Sequence, residues 1–237
     1  MQDDYEMTEE QRIQYKLAKA EKKKKKKWQV ILVWSVIGLI AAVILYFTIF
    51  ANVKTTEKRK PVIYLYPEET KEVSVTLDFN GNLTSTYPAY ENGWAVMAQP
   101  DGTLTGGDGK VYNYLFWEGE SDTQFDFSQG FCVKGGDTAE FLEEALAKLG
   151  LNRREANEFI VYWLPLMEKN KYNVISFQSK AYTENAKLTV DPAPDTVIRV
   201  FMAWYGSKKA VDIPEQELSA PERVGFTVVE WGGSMVR

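Results

Sequence analysis

Three patterns of apolar and polar positions follow one another along this chain. Between Thr8 and Ala20 apolar residues recur at helical spacing, at Ile13, Leu17 and Ala20, and Thr8 with Gln11 three residues on forms a capping-box pattern. This predicts a short helix ahead of the lysine run Lys22–Lys27. From Trp28 to Val53 no charge interrupts 26 residues. At about 1.5 Å per residue, such a stretch is long enough to cross a bilayer as a helix. From Pro61 onward the period shortens to two, the period of strands.

Val62, Tyr64 and Tyr66 alternate with Ile63 and Leu65 between Pro61 and Pro67, which predicts a strand apolar on both faces and therefore covered on both. Val73, Val75, Leu77 and Phe79 alternate with polar residues, a half-buried strand. Asn80-Gly81 behind it predicts a hairpin, because a tight hairpin turn demands positive φ at both positions. Further strands are predicted at Trp94–Ala98, Val111–Trp117, Tyr172–Phe177, Leu188–Val190, Thr196–Tyr205 and Val224–Trp231.

Two helices interrupt this run. The first opens on a capping box of Asp137 and Glu140, carries the stripe Phe141, Leu142, Ala145, Leu146 and Leu149, and stops at Gly150. The second opens on Asn152 and Glu155, with Ala156, Phe159, Ile160, Trp163, Leu164 and Met167 on one face and a kink or end expected at Pro165. Strands, two helices, then strands, without regular βα alternation, predict an α+β fold. Its sheet is mostly antiparallel, a two-helix insertion packs on one side, and one transmembrane helix precedes it. No internal repeat is present, and the lysine block is the sole low-complexity segment.

Charge divides the chain the same way. Residues 1–27 carry net +3, the basic linker 54–60 again +3, and residues 61–237 hold 15 basic and 26 acidic side chains, net −11. The lysines on the N-terminal side of the span predict a cytoplasmic N-terminus and an extracytoplasmic domain at 61–237. A cleaved signal peptide is the alternative. The apolar run exceeds a typical signal-peptide core, and Thr48–Val53 lacks a small-x-small cleavage pattern. Trp28, Trp34 and Tyr46 lie where interfacial aromatics sit. The lysines also favour an anionic leaflet, so the lipid bilayer is the first expected partner. The acidic outer domain repels nucleic acid and anionic lipid, and nucleic acid is not expected as a ligand.

With no histidine and Cys132 as the single cysteine, internal disulfides, histidine-based zinc sites and Ser-His-Asp or Cys-His nucleophiles are excluded. Carboxylate chemistry remains. Glu118, in Trp117-Glu118-Gly119-Glu120-Ser121-Asp122, and Glu230 beside Trp231 are the candidate catalytic pair for glycoside hydrolysis, which requires two carboxylates flanking one bond. Trp94, Trp117, Glu120, Asp122 and Trp231 are the candidate ligand-binding residues, with Trp94 and Trp117 expected at the surface and Trp163, Trp204 and Trp231 expected inside. Asp101, Asp108 and Asp126 lie with Glu118, Glu120 and Asp122 in or near glycine-containing loops, but no EF-hand spacing joins them, and neither a metal nor a cofactor is expected. Asn82-Leu83-Thr84 fits a glycosylation sequon.

The segments Lys60-Pro61-Val62-Ile63-Tyr64-Leu65-Tyr66-Pro67, Tyr162-Trp163-Leu164-Pro165 and Gly225–Gly233 resemble the landmarks of a family of uncharacterised proteins. That resemblance covers residues 60–233 and implies a domain boundary but no activity. The expected function is therefore binding or scaffolding at the cell envelope by a single-pass membrane protein. The partner would be an envelope polysaccharide or another membrane protein. The rival readings are a carboxylate-dependent glycoside hydrolase or sugar-binding module, and a structural subunit of a membrane complex.

Overall fold

A computed structural model describes residues 9–50 and 56–236, which fall into two compact units, 1–54 and 55–237. The first is one helix, α1 (Glu9–Phe50), 42 residues long. Its apolar stretch does not begin a new element: the helix runs unbroken through the lysine block, since lysine is a good helix former. Over Glu21–Leu45 it is long and apolar enough to cross a membrane, and none of that stretch is buried. A helix of this kind serves as an anchor or as a signal sequence. Trp28 and Trp34 are both exposed. Thr8, the end of the span at 51–53, linker residues 54 and 55, and the side chains of Ile13, Ala20 and Tyr46 lie outside the described residues.

The second unit begins inside the expected linker, because β1 covers Thr56–Tyr66. There follow β2 (Lys71–Phe79), β3 (Asn82–Tyr87), β4 (Trp94–Ala98), β5 (Leu104–Gly106), β6 (Val111–Tyr112), β7 (Leu115–Ser121) and β8 (Phe131–Lys134). Next come α2 (Thr138–Lys148), α3 (Arg153–Met167), β9 (Tyr172–Phe177), the short α4 (Lys180–Asn185), β10 (Ala186–Asp191), β11 (Thr196–Ser207) and β12 (Thr227–Met235). The strands form two sheets where one was expected. One has the order β3-β7-β1-β12-β11-β9-β8 and the other β10-β2-β4-β5-β6. Every pairing is antiparallel except β11 with β12. Parallel neighbours need a long connection, and residues 208–226 supply it as a strap without helix.

The alternation in β1 explains the layering. Val62 and Tyr64 enter a core shared with Leu142, Leu146, Phe159 and Trp163 of α2 and α3. Ile63 and Leu65 enter a second core, shared with Val73, Val75, Trp94 and Val96 of the smaller sheet. The large sheet is thus the middle of three layers, with the helix pair on one face and the second sheet on the other. A strand apolar on both faces belongs in such a place, since each fully buried large apolar side chain contributes about 1.5–3 kcal/mol.

Two local expectations fail for physical reasons. Asn80-Gly81 is not a hairpin turn: β2 pairs with β4 and β10, β3 pairs with β7, and the turn carries the chain from one sheet to the other. Neither residue has positive φ. Gly81 is required by space, because a Cβ there would collide with the Glu120 carbonyl and the Phe79 ring. At α2, the Asp137 side chain makes no cap hydrogen bond; a 3-10 turn at Gly135–Asp137 leads into the helix. At α3, by contrast, the Asn152–Glu155 capping box is complete, with hydrogen bonds of 2.8 and 3.0 Å. Pro165 lies inside α3, which ends two residues later at Met167.

Candidate functional site

Glu118 and Glu230 do not share a cleft. In β7, Trp117 faces the inter-sheet core while its neighbour Phe116 packs against the helix-side core, so alternation sends Glu118 to the helix side. In β12, Val228 faces the inter-sheet core and Val229 the helices, which turns Glu230 between the sheets. The two carboxylates lie on opposite faces of the seven-stranded sheet. Glu118 accepts the Lys60 backbone N–H at 3.2 Å. Trp94 and Trp117, expected at the surface, are buried, as is Trp231. The Trp94 indole donates to the Pro88 carbonyl at 2.8 Å, a satisfied core position with no face left for a sugar ring. Glu120 is half-buried within β7, and Asp122 is exposed just past its end.

Glu230 is fully buried within a polar cluster. The Arg199 Nε lies 2.6 Å from its Oε2, and the Trp117 indole N–H donates to its Oε1 at 3.1 Å. Tyr182, itself fully buried, stacks beneath the guanidinium at 4.8 Å from ring centroid to Cζ. Burial disfavours the charged Arg199. Glu230 and Tyr182 more than offset this, so its pKa is held above the ordinary arginine value. Burial, then the Glu230 charge, raises the Tyr182 hydroxyl well above the ordinary tyrosine range. The cluster lies among apolar side chains of the inter-sheet core, where it is a structural ion pair shielded from substrate.

A second ion pair, buried on its carboxylate side and half-buried at the arginine, fastens the 208–226 strap. Arg223 reaches the fully buried Glu155 at 2.5 Å and the Gly150 carbonyl at 2.8 Å, tying the strap to the start of α3. Nearby, the Tyr64 hydroxyl donates to Glu158 at 2.9 Å, and burial raises its pKa far above the usual value.

The three landmark segments meet at one place. Lys60 lies over the rings of Tyr162 and Trp231 at 5.0 and 5.5 Å. Gly233 leaves no room for a Cβ against Trp163, and a Cβ at Gly232 would stand 3.0 Å from Pro61. These residues are packing partners at the head of the domain.

An open cleft of about 440 Å³ lies elsewhere, lined among others by Asp126, Ser128, Gln129, Gln178, Lys180 and Gln216. Of the residues singled out in the sequence, Asp126 lines it, while none of the candidate catalytic or ligand-binding residues does. Two glutamine amides brace its floor by imitating a strand partner. Gln178 accepts from Asp126 N at 3.0 Å and donates to its carbonyl at 2.8 Å, and Gln216 does the same to Phe177 at 2.9 and 2.7 Å. Asp126 accepts from both N–H and O–H of Ser128, which lowers its pKa, and Glu184 pairs with Lys180 at 3.8 Å.

Among the described residues no group of three or more histidine, cysteine, aspartate or glutamate side chains is placed to hold a metal. The loop acids cap their own turns instead. Asp101 accepts from Thr103 N at 2.9 Å. Asp108 accepts from the side chain and backbone of Lys110 and from the Tyr112 hydroxyl, which lowers its pKa from 3.8 to about 2. An NMR titration is expected to find the Asp108 carboxyl changing near pH 2, and Lys110→Met is expected to move that midpoint upward. Since the folded value is depressed, this contact supports the loop above the ordinary aspartate range and is lost as pH falls through about 2.

No protein-family model matches the chain, and no solved structure matches it. It is similar to a protein of Butyrivibrio fibrisolvens described as an uncharacterized protein in the bglA 3′ region. The two are 52% identical over 64 residues, which span 26% of this chain and 66% of the relative.

Proposed function

We propose that this is a single-pass membrane protein with a cytoplasmic N-terminus, presenting its acidic α+β domain outside the cell for binding or scaffolding at the envelope. The observation that carries this reading is the exposed apolar helix over Glu21–Leu45, with Lys22–Lys27 at its N-terminal end. Six lysines at consecutive positions surround a helix completely, and they resist translocation. The domain at the other end has net charge −11. Its helix-side and inter-sheet cores are built from residues of the unit itself. The glycosidase reading loses support because Glu118 and Glu230 are separated by the sheet itself.

Chemical cross-linking in intact cells tests the proposal. It compares the natural chain with a variant in which residues 28–53 are replaced by an unrelated leucine–alanine span. The same cross-linked partner is expected from both, because the outer domain is the part that binds. Loss of the partner with the replaced span would assign association to the helix and make the protein a structural subunit of a membrane complex.

A further inference from the structure

The two sheets expose four edges, and three are blunted. Outside β8 runs the strap: Gly130 N–H donates to the Pro214 carbonyl at 2.8 Å, Gly130 bridges Glu215, and Val211 N–H reaches Cys132 Sγ at 3.2 Å. The edge strand β10 carries Lys187 and Asp191 and is closed by Pro192. The edge strand β6 is two residues long. Charges, prolines, shortness and covering loops are the devices by which proteins prevent an edge from acquiring another strand.

The fourth edge, β3, is as long as β10 and is likewise followed by a proline, Pro88, but it lacks charged residues and, among the described residues, a covering strap. Its six residues, Asn82-Leu83-Thr84-Ser85-Thr86-Tyr87, include no charge and no proline, and five of the six are exposed. It pairs with β7 on one side, with a register shift between Leu83 and Ser85. Among the described residues no backbone hydrogen bond joins its other side to another segment. Threonine and tyrosine suit a pleated strand.

The neighbouring strand indicates the partner's chemistry. Asn82 is opposite Glu120 and Ser85 is opposite Glu118, so these small side chains share a sheet face with two carboxylates. An added strand would lie about 9–10 Å from β7, two strand spacings away. Lysine and arginine are long enough to lean over a small neighbour towards those carboxylates. A second copy of the chain would bring the same acids and a domain of net −11 to the contact, which disfavours self-pairing.

We propose that the free edge of β3 receives an extended segment of a partner protein, with lysine or arginine at alternate positions, as an eighth strand of the large sheet. The inference rests on the reading of the outer domain as a binding module and names the surface it uses. Backbone bonds to β3 would supply affinity, and selectivity would come first from Glu120, with the charge of Glu118, held on the β1 side by the Lys60 N–H, behind it.

The test uses full-length protein in nanodiscs of phosphatidylcholine, so that basic peptides find no anionic lipid. Two labelled probes are compared by fluorescence anisotropy, one alternating valine with lysine and the other valine with glutamate. The lysine probe is expected to bind about tenfold more tightly, the effect of two exposed ion pairs, with the difference shrinking in high salt. It should slow amide exchange within residues 82–87. Ser85→Lys should abolish binding, and Glu118→Gln with Glu120→Gln should equalise the two probes while leaving the thermal melt in place. Equal binding of both probes, or unchanged exchange in β3, would overturn the proposal. So would a dimer in the ultracentrifuge that Ser85→Lys dissociates, because the occupant would then be a second copy. A partner still cross-linked in cells by the Ser85→Lys protein would refute this edge while leaving the proposed function standing.

Discussion

Arg199→Ala is expected to destabilise the folded domain by about 3–5 kcal/mol, the usual consequence of leaving one partner of a buried ion pair without the other. The pair qualifies because Arg199 is 9% exposed and Glu230 is not exposed at all. Trp117 would still donate to Glu230, but a neutral indole cannot neutralise a carboxylate between two apolar sheets. Glu230→Gln keeps an acceptor for Trp117 and strands the guanidinium, whose Nη2 already lacks a partner. It should cost a similar amount. Arg199→Met combined with Glu230→Leu should recover most of the loss, since apolar residues fill the space without charge. Guanidinium denaturation followed by tryptophan fluorescence measures all three. The raised pKa of Arg199 means that the pair's contribution is complete below the ordinary arginine range and is lost only above it, so stability from this source should be level from about pH 7 to 10. An Arg199→Ala cost below about 1 kcal/mol would show a solvated pair. A catalytic glutamate would behave in the opposite way, since its glutamine variant would fold normally and lose turnover.

The same cluster shows where sequence patterns carry information and where they do not. Alternation in Val62–Tyr66 correctly implied a doubly covered strand, because period two is a local property that both faces must obey. The strands at Trp94–Ala98 and Tyr172–Phe177 and the Asn152–Glu155 cap were legible for the same reason. Asn80-Gly81 misled because turn chemistry is local, while the choice of pairing partner is not. β3 finds its neighbour about 35 residues further on in β7. The division into two sheets was hidden likewise, since each half-buried strand reads the same whichever layer receives its apolar face.

Surface exposure is poorly legible for a tryptophan near a strand end. Trp117 at a strand end and Trp94 beside Asn92-Gly93 have the sequence marks of accessible positions, yet each is buried between its own sheet and the opposite one. Arg199 carries a usable signal. It is the one charge among the apolar residues from Val197 to Ala203, and Glu230 is the one charge in Phe226–Trp231. Two opposite charges in two otherwise buried strands imply a pair, and β11 and β12 place them in register. Lys60, Gln178 and Gln216 carried no comparable signal, because their contacts depend on distant parts of the chain.

The largest expected effect concerns the helix. A membrane-impermeant maleimide is expected to label the domain in intact cells, and the chain is suited to that measurement because Cys132 is its single cysteine. That thiol is half-buried under Val211, so the probe is Lys208→Cys in a Cys132→Ser background, Lys208 being exposed. Glu10→Cys in the same background should react only after lysis. The opposite pattern would place the domain in the cytoplasm and end the proposed function. A cleaved signal sequence would yield a shortened chain without the Glu10 position. For the anchor itself, Leu39→Arg with Val43→Arg places two charges near the middle of the apolar stretch. Each costs roughly 3 kcal/mol at the centre of a membrane helix, together outweighing several of the leucine, isoleucine and valine contributions of about 0.3–0.6 kcal/mol that drive insertion. The natural chain should stay in the pellet after alkaline carbonate and be released by detergent alone, and the double arginine variant should leave the membrane fraction. Lys22–Lys27 should then govern direction without governing insertion: replacing those six lysines by glutamine is expected to leave the chain in the membrane while mixing its two orientations, because the remaining basic groups of 54–60 lie on the other side.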